Sequence, residues 1–151
     1  MDNPKLFPGN RFVIDGKIGG PDKKHDILLL CNKRSRHIIF KSYGESEFHK
    51  ENHVGPEHFL VGLLSEDEGK GLIAQFLTDR GLTIDKVRRY TKVMGRQVVY
   101  PVGIPHLPGF RYPSPDTKEM MESAMAISAE LKHDKITPEH ILLAMAQQDD
   151  S

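Results

Sequence analysis

The stretches PEHFLVGLL (residues 56–64) and PEHILLAMA (residues 138–146) are two copies of one pattern, a Pro-Glu-His triplet followed by an apolar run. Their histidines, His58 and His140, lie 82 positions apart. A proline at the first position of a helix sacrifices no hydrogen bond, and a glutamate in the first turn complements the helix dipole. Each stretch is therefore predicted to begin a helix, and the chain uses one structural unit twice.

The residues before each triplet extend the repeat. NKRSRHIIFKSYGESEFHKENHVGPEH (residues 32–58) aligns with SPDTKEMMESAMAISAELKHDKITPEH (residues 114–140). Asn32 and Ser114 are both good N-cap residues, so each unit is predicted to be a capped helix, a short turn and a proline-started helix. Because neither unit can bury its apolar stripe alone, we expect an all-α fold of two tandem units related by a pseudo-twofold axis.

The chain is predicted to have four segments. Residues 1–30 form an arm that is either irregular or a β-hairpin with its turn at Asp15 and Gly16. Residues 31–95 form the first repeat, which continues into two further helices, and Leu72 and Phe76 are expected to face inward on the first of these. Residues 96–113 are a connector rich in proline and glycine. Residues 114–151 form a shortened second repeat.

Composition argues against several classes of function. The 21 basic and 21 acidic residues cancel, so no overall field favours nucleic acid or a membrane surface. The longest apolar run, residues 141–146, is far too short to span a bilayer, and the N-terminus does not look like a signal peptide. The single cysteine, Cys31, is expected to be a buried free thiol and indicates a cytoplasmic protein.

Both copies resemble the double-repeat N-terminal domain of the Clp ATPases, of the ClpA/ClpC type. The typical family signature includes His-Asn-Tyr-Ile-Gly-Thr-Glu-His followed by leucines. This chain has HVGPEHFLVGLLSEDEGKGLIAQFLTDRGLTIDKVRR (residues 53–89) in the first copy and KHDKITPEHILLAMA (residues 132–146) in the second. The resemblance covers residues 31–151. The threonine before Glu-His is replaced by Pro56 in one copy and by Pro138 in the other, and the second copy lacks its third and fourth helices.

The resemblance implies a non-catalytic module that docks substrate or adaptor proteins for a Clp-type ATP-dependent protease or unfoldase. No G-x-x-x-x-G-K-[ST] motif occurs, so we expect neither ATP hydrolysis nor a cofactor. The alternative is a stand-alone regulator or decoy that carries the repeat without an ATPase and binds a Clp machine or its substrates. Whether an ATPase module follows Ser151 in the natural reading frame distinguishes the two.

ClpC-like members can recognise phosphoarginine, and the resemblance carries that role to four residues of this chain. Glu57 and Glu139 correspond to the carboxylates that take the guanidinium group, a pairing that bidentate hydrogen bonds favour. Asn32 and Ser114 correspond to the caps on the phosphate side, where a helix N-terminus favours an anion. The alternative for both glutamates is simple complementarity to the helix dipole.

Three further interpretations can be compared with the structure. His58 and His140 are expected to be buried, hydrogen-bonded histidines, and no metal site is expected from His49, His53 and His58 because a turn separates them. An uncovered stripe at residues 141–145 would need the arm or a second copy, as in a homodimer, to cover it. We expect Phe59, Leu63, Ile141 and Met145 to be buried, and Glu57 and Glu139 to be accessible at least in part.

Overall fold

The computed structural model of the protein describes residues 13–16, 23–94 and 112–148. Helices dominate, as the sequence predicts. In chain order the elements are β1 (Val13–Gly16), β2 (Lys23–Asp26), α1 (Ile27–Leu30), α2 (Lys33–Phe48), β3 (His53–Val54), α3 (Pro56–Leu64), a 3-10 helix (Glu66–Gly69), α4 (Leu72–Asp79), α5 (Ile84–Met94), β4 (Tyr112–Pro113), α6 (Pro115–Glu130) and α7 (Pro138–Gln148).

The two predicted units are helix pairs, with α2 packed on α3 and α6 packed on α7. Gly62 brings α2 and α3 into close contact, because a Cβ atom there would lie 2.9 Å from the Ile38 carbonyl oxygen. Ala144 takes the equivalent place on α7 and is fully buried. Both predicted caps are confirmed, because the Asn32 and Ser114 side chains accept hydrogen bonds from the first turns of α2 and α6.

Two main-chain hydrogen bonds join the units and are equivalent under the pseudo-twofold relation. The Asn32 N–H donates to the Ile136 carbonyl oxygen at 2.9 Å, and the Ser114 N–H donates to the Val54 carbonyl oxygen at 3.0 Å. In each case the residue before the cap of one unit pairs, in parallel, with the strand-like residue before the proline-started helix of the other unit. The start of each first helix is therefore fixed to the other repeat.

Two buried hydroxyl groups strengthen the same junction. Ser35 and Thr117, each three residues after a cap, donate to the two carbonyl oxygens just described, at 2.9 Å and 2.8 Å respectively. Both residues are fully buried. Buried polar atoms need a partner, so each hydroxyl group both satisfies itself and fixes the position of the opposite chain.

The core lies between the two helix pairs. Phe59, Leu63 and Ile141 are fully buried, as predicted. Met145 is only partly buried and packs against the edge of this core, as does Leu142. The stripe of Ile141, Leu142 and Met145 is therefore largely covered within the chain and gives no support for a homodimer.

The prediction that Leu72 and Phe76 face inward on α4 is wrong. Leu72 is 81% exposed and Phe76 is 45% exposed. Only Ile73 and Ala74 are buried on this helix, and Leu77 is partly buried against α3 and α5. An eight-residue helix packed along one side presents a narrow stripe to its neighbours, so the remaining apolar side chains point outward.

The N-terminal arm contains the predicted hairpin, but its turn is not where the sequence placed it. β1 pairs antiparallel with β2, from Val13 opposite Asp26 to Gly16 opposite Lys23. Asp15 and Gly16 therefore belong to a strand. The joining residues 17–22 lie outside the described residues.

Within the described ranges, none of the helices has both the length and the apolar character needed to cross a bilayer.

Replacing Thr117 with valine should destabilise the fold, because it removes one of the two donors to the buried Val54 carbonyl oxygen without changing side-chain volume much. We expect a loss of about 0.5–1.5 kcal/mol in the free energy of unfolding, measured by urea denaturation. The matched control is Thr78→Val, which alters an exposed position on α4. Equal effects of the two substitutions would contradict the role of the hydroxyl group at the junction.

Candidate functional site

The recurring histidines fix the starts of α3 and α7. Nδ1 of His58 accepts the Gly55 N–H at 2.8 Å, and Nδ1 of His140 accepts the Thr137 N–H at 2.9 Å. Both histidines are buried. The interpretation of these residues as buried, hydrogen-bonded histidines is therefore confirmed.

The second ring nitrogen of each histidine has a different partner in the two repeats. Nε2 of His58 lies 2.7 Å from the Glu51 carboxylate, whereas Nε2 of His140 lies 2.8 Å from Nδ1 of His133. Burial, together with the nearby His133 ring, lowers the pKa of His140. The repeats thus share backbone geometry but differ in charge.

The junction bonds each predicted cap to the segment that leads into the glutamate of the other repeat. Asn32 is hydrogen-bonded to Ile136, three residues before Glu139, and Ser114 is hydrogen-bonded to Val54, three residues before Glu57. The four predicted residues therefore form two composite places, which we name the Glu139 site (Asn32 with Glu139) and the Glu57 site (Ser114 with Glu57). The sequence predicted the four residues but not this exchange between repeats.

In the Glu139 site, the carboxylate receives a guanidinium group from within the chain. Nη2 of Arg34 lies 3.2 Å from Oε2 of Glu139, and Nη1 lies 3.5 Å from Oε1. The same guanidinium group forms two hydrogen bonds with Glu66, through Nε and Nη2. Sequence reasoning missed Arg34 and Glu66. The available signal was an arginine two residues after the cap, but its partners lie 32 and 105 positions away.

The charges of this cluster stabilise one another. Hydrogen bonding to Glu66 raises the pKa of Arg34, although partial burial opposes this. Burial alone would raise the pKa of the Glu139 carboxyl, but its own backbone N–H and Arg34 outweigh that and hold it below its usual value. Glu139 is half exposed and therefore accessible, as predicted.

A cavity of about 460 Å³ surrounds this cluster between α2, α4 and α7. Its lining includes both basic and acidic side chains. The basic ones are Arg34, His37 and Lys41, and the acidic ones are Glu66, Asp67 and Glu139. Such a lining suits a ligand that itself carries both a cation and an anion.

In the Glu57 site, the carboxylate turns inward. Oε2 of Glu57 lies 3.2 Å from Nε2 of the fully buried His53, and Glu57 is 19% exposed. The carboxylate lies over Gly55, where a Cβ atom would come within 2.4 Å of Oε1. Burial opposes ionisation, but hydrogen bonds from His53 and from the backbone, with the charges of His58 and His53, lower the pKa of Glu57 to about 2.

A second cavity, of about 380 Å³, lies at the pseudo-equivalent place beside the start of α3. It is lined by Pro56, Leu60, Asp116, Glu119, Met145 and Gln148. When the two repeats are aligned with an offset of 82 positions, Asp116 is equivalent to Arg34 and Glu119 is equivalent to His37. The two cavities are therefore alike in position and opposite in charge along the first helix of each repeat.

His53, Glu57 and His58 have potential metal-ligand atoms within 4.8 Å of one another. In these residues, however, Nδ1 of His58 accepts the Gly55 N–H, its Nε2 pairs with Glu51, and Nε2 of His53 pairs with Glu57. His49 pairs with Glu45 instead of joining the group. We interpret the cluster as a hydrogen-bonded network, since a metal ion would have to break several of these contacts.

Comparisons with known proteins agree with this architecture. A family model described as the Clp repeat (R) N-terminal domain matches residues 31–151. Among curated proteins, the ATP-binding subunit ClpC of the ATP-dependent Clp protease from Staphylococcus aureus is 28% identical over 119 residues. That match covers 78% of this chain but 13% of ClpC, so the chain spans a small part of this relative's length.

Solved structures show the same fold. The N-terminal domain of the chaperone ClpD from Arabidopsis thaliana matches with a TM-score of 0.63 and 24% identity, over 82% of this chain and 80% of that one. The N-domain of ClpV from Vibrio cholerae matches with a TM-score of 0.62 and 21% identity, over 82% and 70% of the two chains.

Protonating Glu57 should destabilise the fold at low pH. Its folded pKa of about 2 lies below the usual 4.5, so its contribution is fully present above the unfolded pKa and is lost as pH falls from about 5 towards 2. That contribution amounts to at most about 3 kcal/mol. Urea denaturation between pH 7 and pH 2 should therefore show a flatter pH dependence for Glu57→Gln than for the parent.

The control for this comparison is Glu47→Gln, which changes an exposed carboxylate on α2. It should keep the slope of the parent. A Glu57→Gln variant with an unchanged slope would show that the contact between Glu57 and His53 contributes nothing to the acid sensitivity.

Proposed function

Because the chain belongs to the family of Clp repeat N-terminal domains, we propose that it is a non-catalytic protein-binding module. It docks substrate or adaptor proteins for a Clp-type ATP-dependent protease or unfoldase in the cytoplasm. The relationship to ClpC supports the type of machine. A ClpV N-domain with a TM-score of 0.60 and 23% identity was solved in complex with a VipB peptide, which supports a peptide as the class of ligand.

We further propose that the Glu139 site reads phosphoarginine on partner proteins. The observation that carries this proposal is the fork of hydrogen bonds between Glu139 and a guanidinium group, with N–O distances of 3.2 Å and 3.5 Å. A carboxylate that holds the guanidinium group of Arg34 can hold that of a ligand in the same geometry.

The surroundings of the Glu139 site suit the phosphoryl group as well. Asn32 caps the start of α2, and a helix N-terminus favours an anion. Arg34, His37 and Lys41 line the same cavity along the first turns of this helix. A ligand with its guanidinium group at Glu139 and its phosphoryl group towards these residues would find complementary charges at both ends.

The Glu57 site is less suited to the same ligand. Its carboxylate is engaged by His53, and the Ser114 hydroxyl group donates to the carboxylate of Asp116. Glu119 adds a second negative charge to the adjacent cavity. The carboxylates of Asp116 and Glu119, in the first two turns of α6, would repel a phosphoryl group, so we assign phosphoarginine reading to the Glu139 site alone.

Titration calorimetry with free phosphoarginine tests this assignment. We expect saturable binding to the parent and a loss of at least about tenfold in affinity for Glu139→Gln, which removes one charged partner of the guanidinium group. Glu57→Gln is the matched control, because it makes the same chemical change in the other repeat, and it should bind as the parent does.

The specificity for the phosphoryl group is tested with two copies of one peptide, identical except for phosphorylation of a single arginine. The phosphorylated copy should bind more tightly. Flat traces for a folded parent, or equal affinities of Glu139→Gln and the parent, would overturn phosphoarginine reading at this site and leave the glutamates as helix-dipole partners.

A further inference from the structure

The contacts of Arg34 indicate how the binding of a ligand at Glu139 is regulated. We propose that Arg34 is a resident competitor in the Glu139 site, whose guanidinium group occupies the place of a ligand's guanidinium group and must leave Glu139 before a ligand binds. This inference rests on the proposed function only in treating Glu139 as the residue that binds the ligand.

The geometry divides the contacts of Arg34 into an inner and an outer pair. The inner partner, Glu66, is 13% exposed and receives hydrogen bonds from Nε and Nη2. The outer partner, Glu139, is 50% exposed and faces Nη1 and Nη2 at longer distances. Arg34 can therefore release Glu139 while Glu66 still holds it.

The outer pair is also weak enough to be displaced. Ion pairs between exposed side chains contribute little to stability in water, since solvent screens them. A ligand that binds only while this contact is open has an apparent Kd equal to its intrinsic Kd divided by the fraction of time for which the contact is open. For an exposed ion pair, this raises the apparent Kd by roughly twofold to sixfold. Arg34 would thus tune the affinity of the site without blocking it.

The second repeat shows that this competitor is not required by the fold. The position equivalent to Arg34 is Asp116, which cannot offer a guanidinium group to Glu57. Glu57 pairs with His53, a residue of its own repeat. The two units have the same helix pair and equivalent junction hydrogen bonds, so the presence of a cross-repeat contact to Glu139 depends on the side chain at position 34. A single substitution should therefore remove it while keeping the fold.

Methylguanidinium is a suitable probe because it has the cationic group of arginine and no phosphoryl group. It is titrated into ¹⁵N-labelled parent and Arg34→Ala, and the amide signals of Glu139, Glu66 and Gly62 are followed by NMR. We expect saturable shifts in Arg34→Ala with an apparent Kd roughly twofold to sixfold lower than in the parent. The double variant Arg34→Ala/Glu139→Gln should lose this binding.

Two further variants separate the competitor from a general change in charge. Lys92→Ala removes an exposed cation on α5 that does not line this cavity, and it should bind methylguanidinium as the parent does. Arg34→Gln keeps a long side chain without the charge and should behave like Arg34→Ala. The same spectra report whether each variant is folded. Equal affinities of the parent and a folded Arg34→Ala, or no saturable shifts in either Arg34 variant, would overturn the proposal.

The outcome is independent of phosphoarginine reading. Methylguanidinium binding that appears in Arg34→Ala, with no binding of phosphoarginine to the parent, would support the competitor and overturn the proposed ligand. Phosphoarginine binding to the parent, with equal methylguanidinium affinities of the parent and Arg34→Ala, would support the proposed ligand and overturn the competitor.

Discussion

The structure depends on the exchange of main-chain hydrogen bonds between the two repeats. The donors are the N–H groups of Asn32 and Ser114, and the acceptors are the carbonyl oxygens of Ile136 and Val54. Because each donor is a helix cap and each acceptor precedes a proline-started helix, a single pair of contacts places both helix starts of both units. The core and the two composite sites follow from this arrangement, since the cap of one repeat is bonded to the segment just before the glutamate of the other.

A shared backbone does not make the two sites alike. Gly55 has no side chain, which leaves room for the Glu57 carboxylate to turn over it towards His53. The equivalent residue in the second repeat is Thr137, and the Glu139 carboxylate lies further out, against Arg34. The Glu57 carboxylate is thus mostly buried, whereas the Glu139 carboxylate is half exposed.

The sequence predicts which positions of the two repeats are equivalent, but it does not predict which side chains contact each other across the repeats. The caps Asn32 and Ser114 and the buried histidines were predictable, because local signals and the 82-residue offset indicate equivalent positions. The pairing of Arg34 with Glu66 and Glu139 was not, since it depends on how the units cross. The exposure of Leu72 escaped prediction for a similar reason, because periodicity identifies apolar residues but not how wide a contact a short helix makes.

A difference between the repeats at a single position therefore changes the charge of a whole site. Position 34 and its equivalent, position 116, both lie in the first turn of a helix whose start is fixed by the other repeat. Arginine there provides an internal partner for Glu139, whereas aspartate adds negative charge beside Ser114. Since the backbone contacts of the junction involve neither side chain, this position can change the charge of a site without weakening the fold. A duplicated scaffold can in this way acquire two different sites from one arrangement of helices.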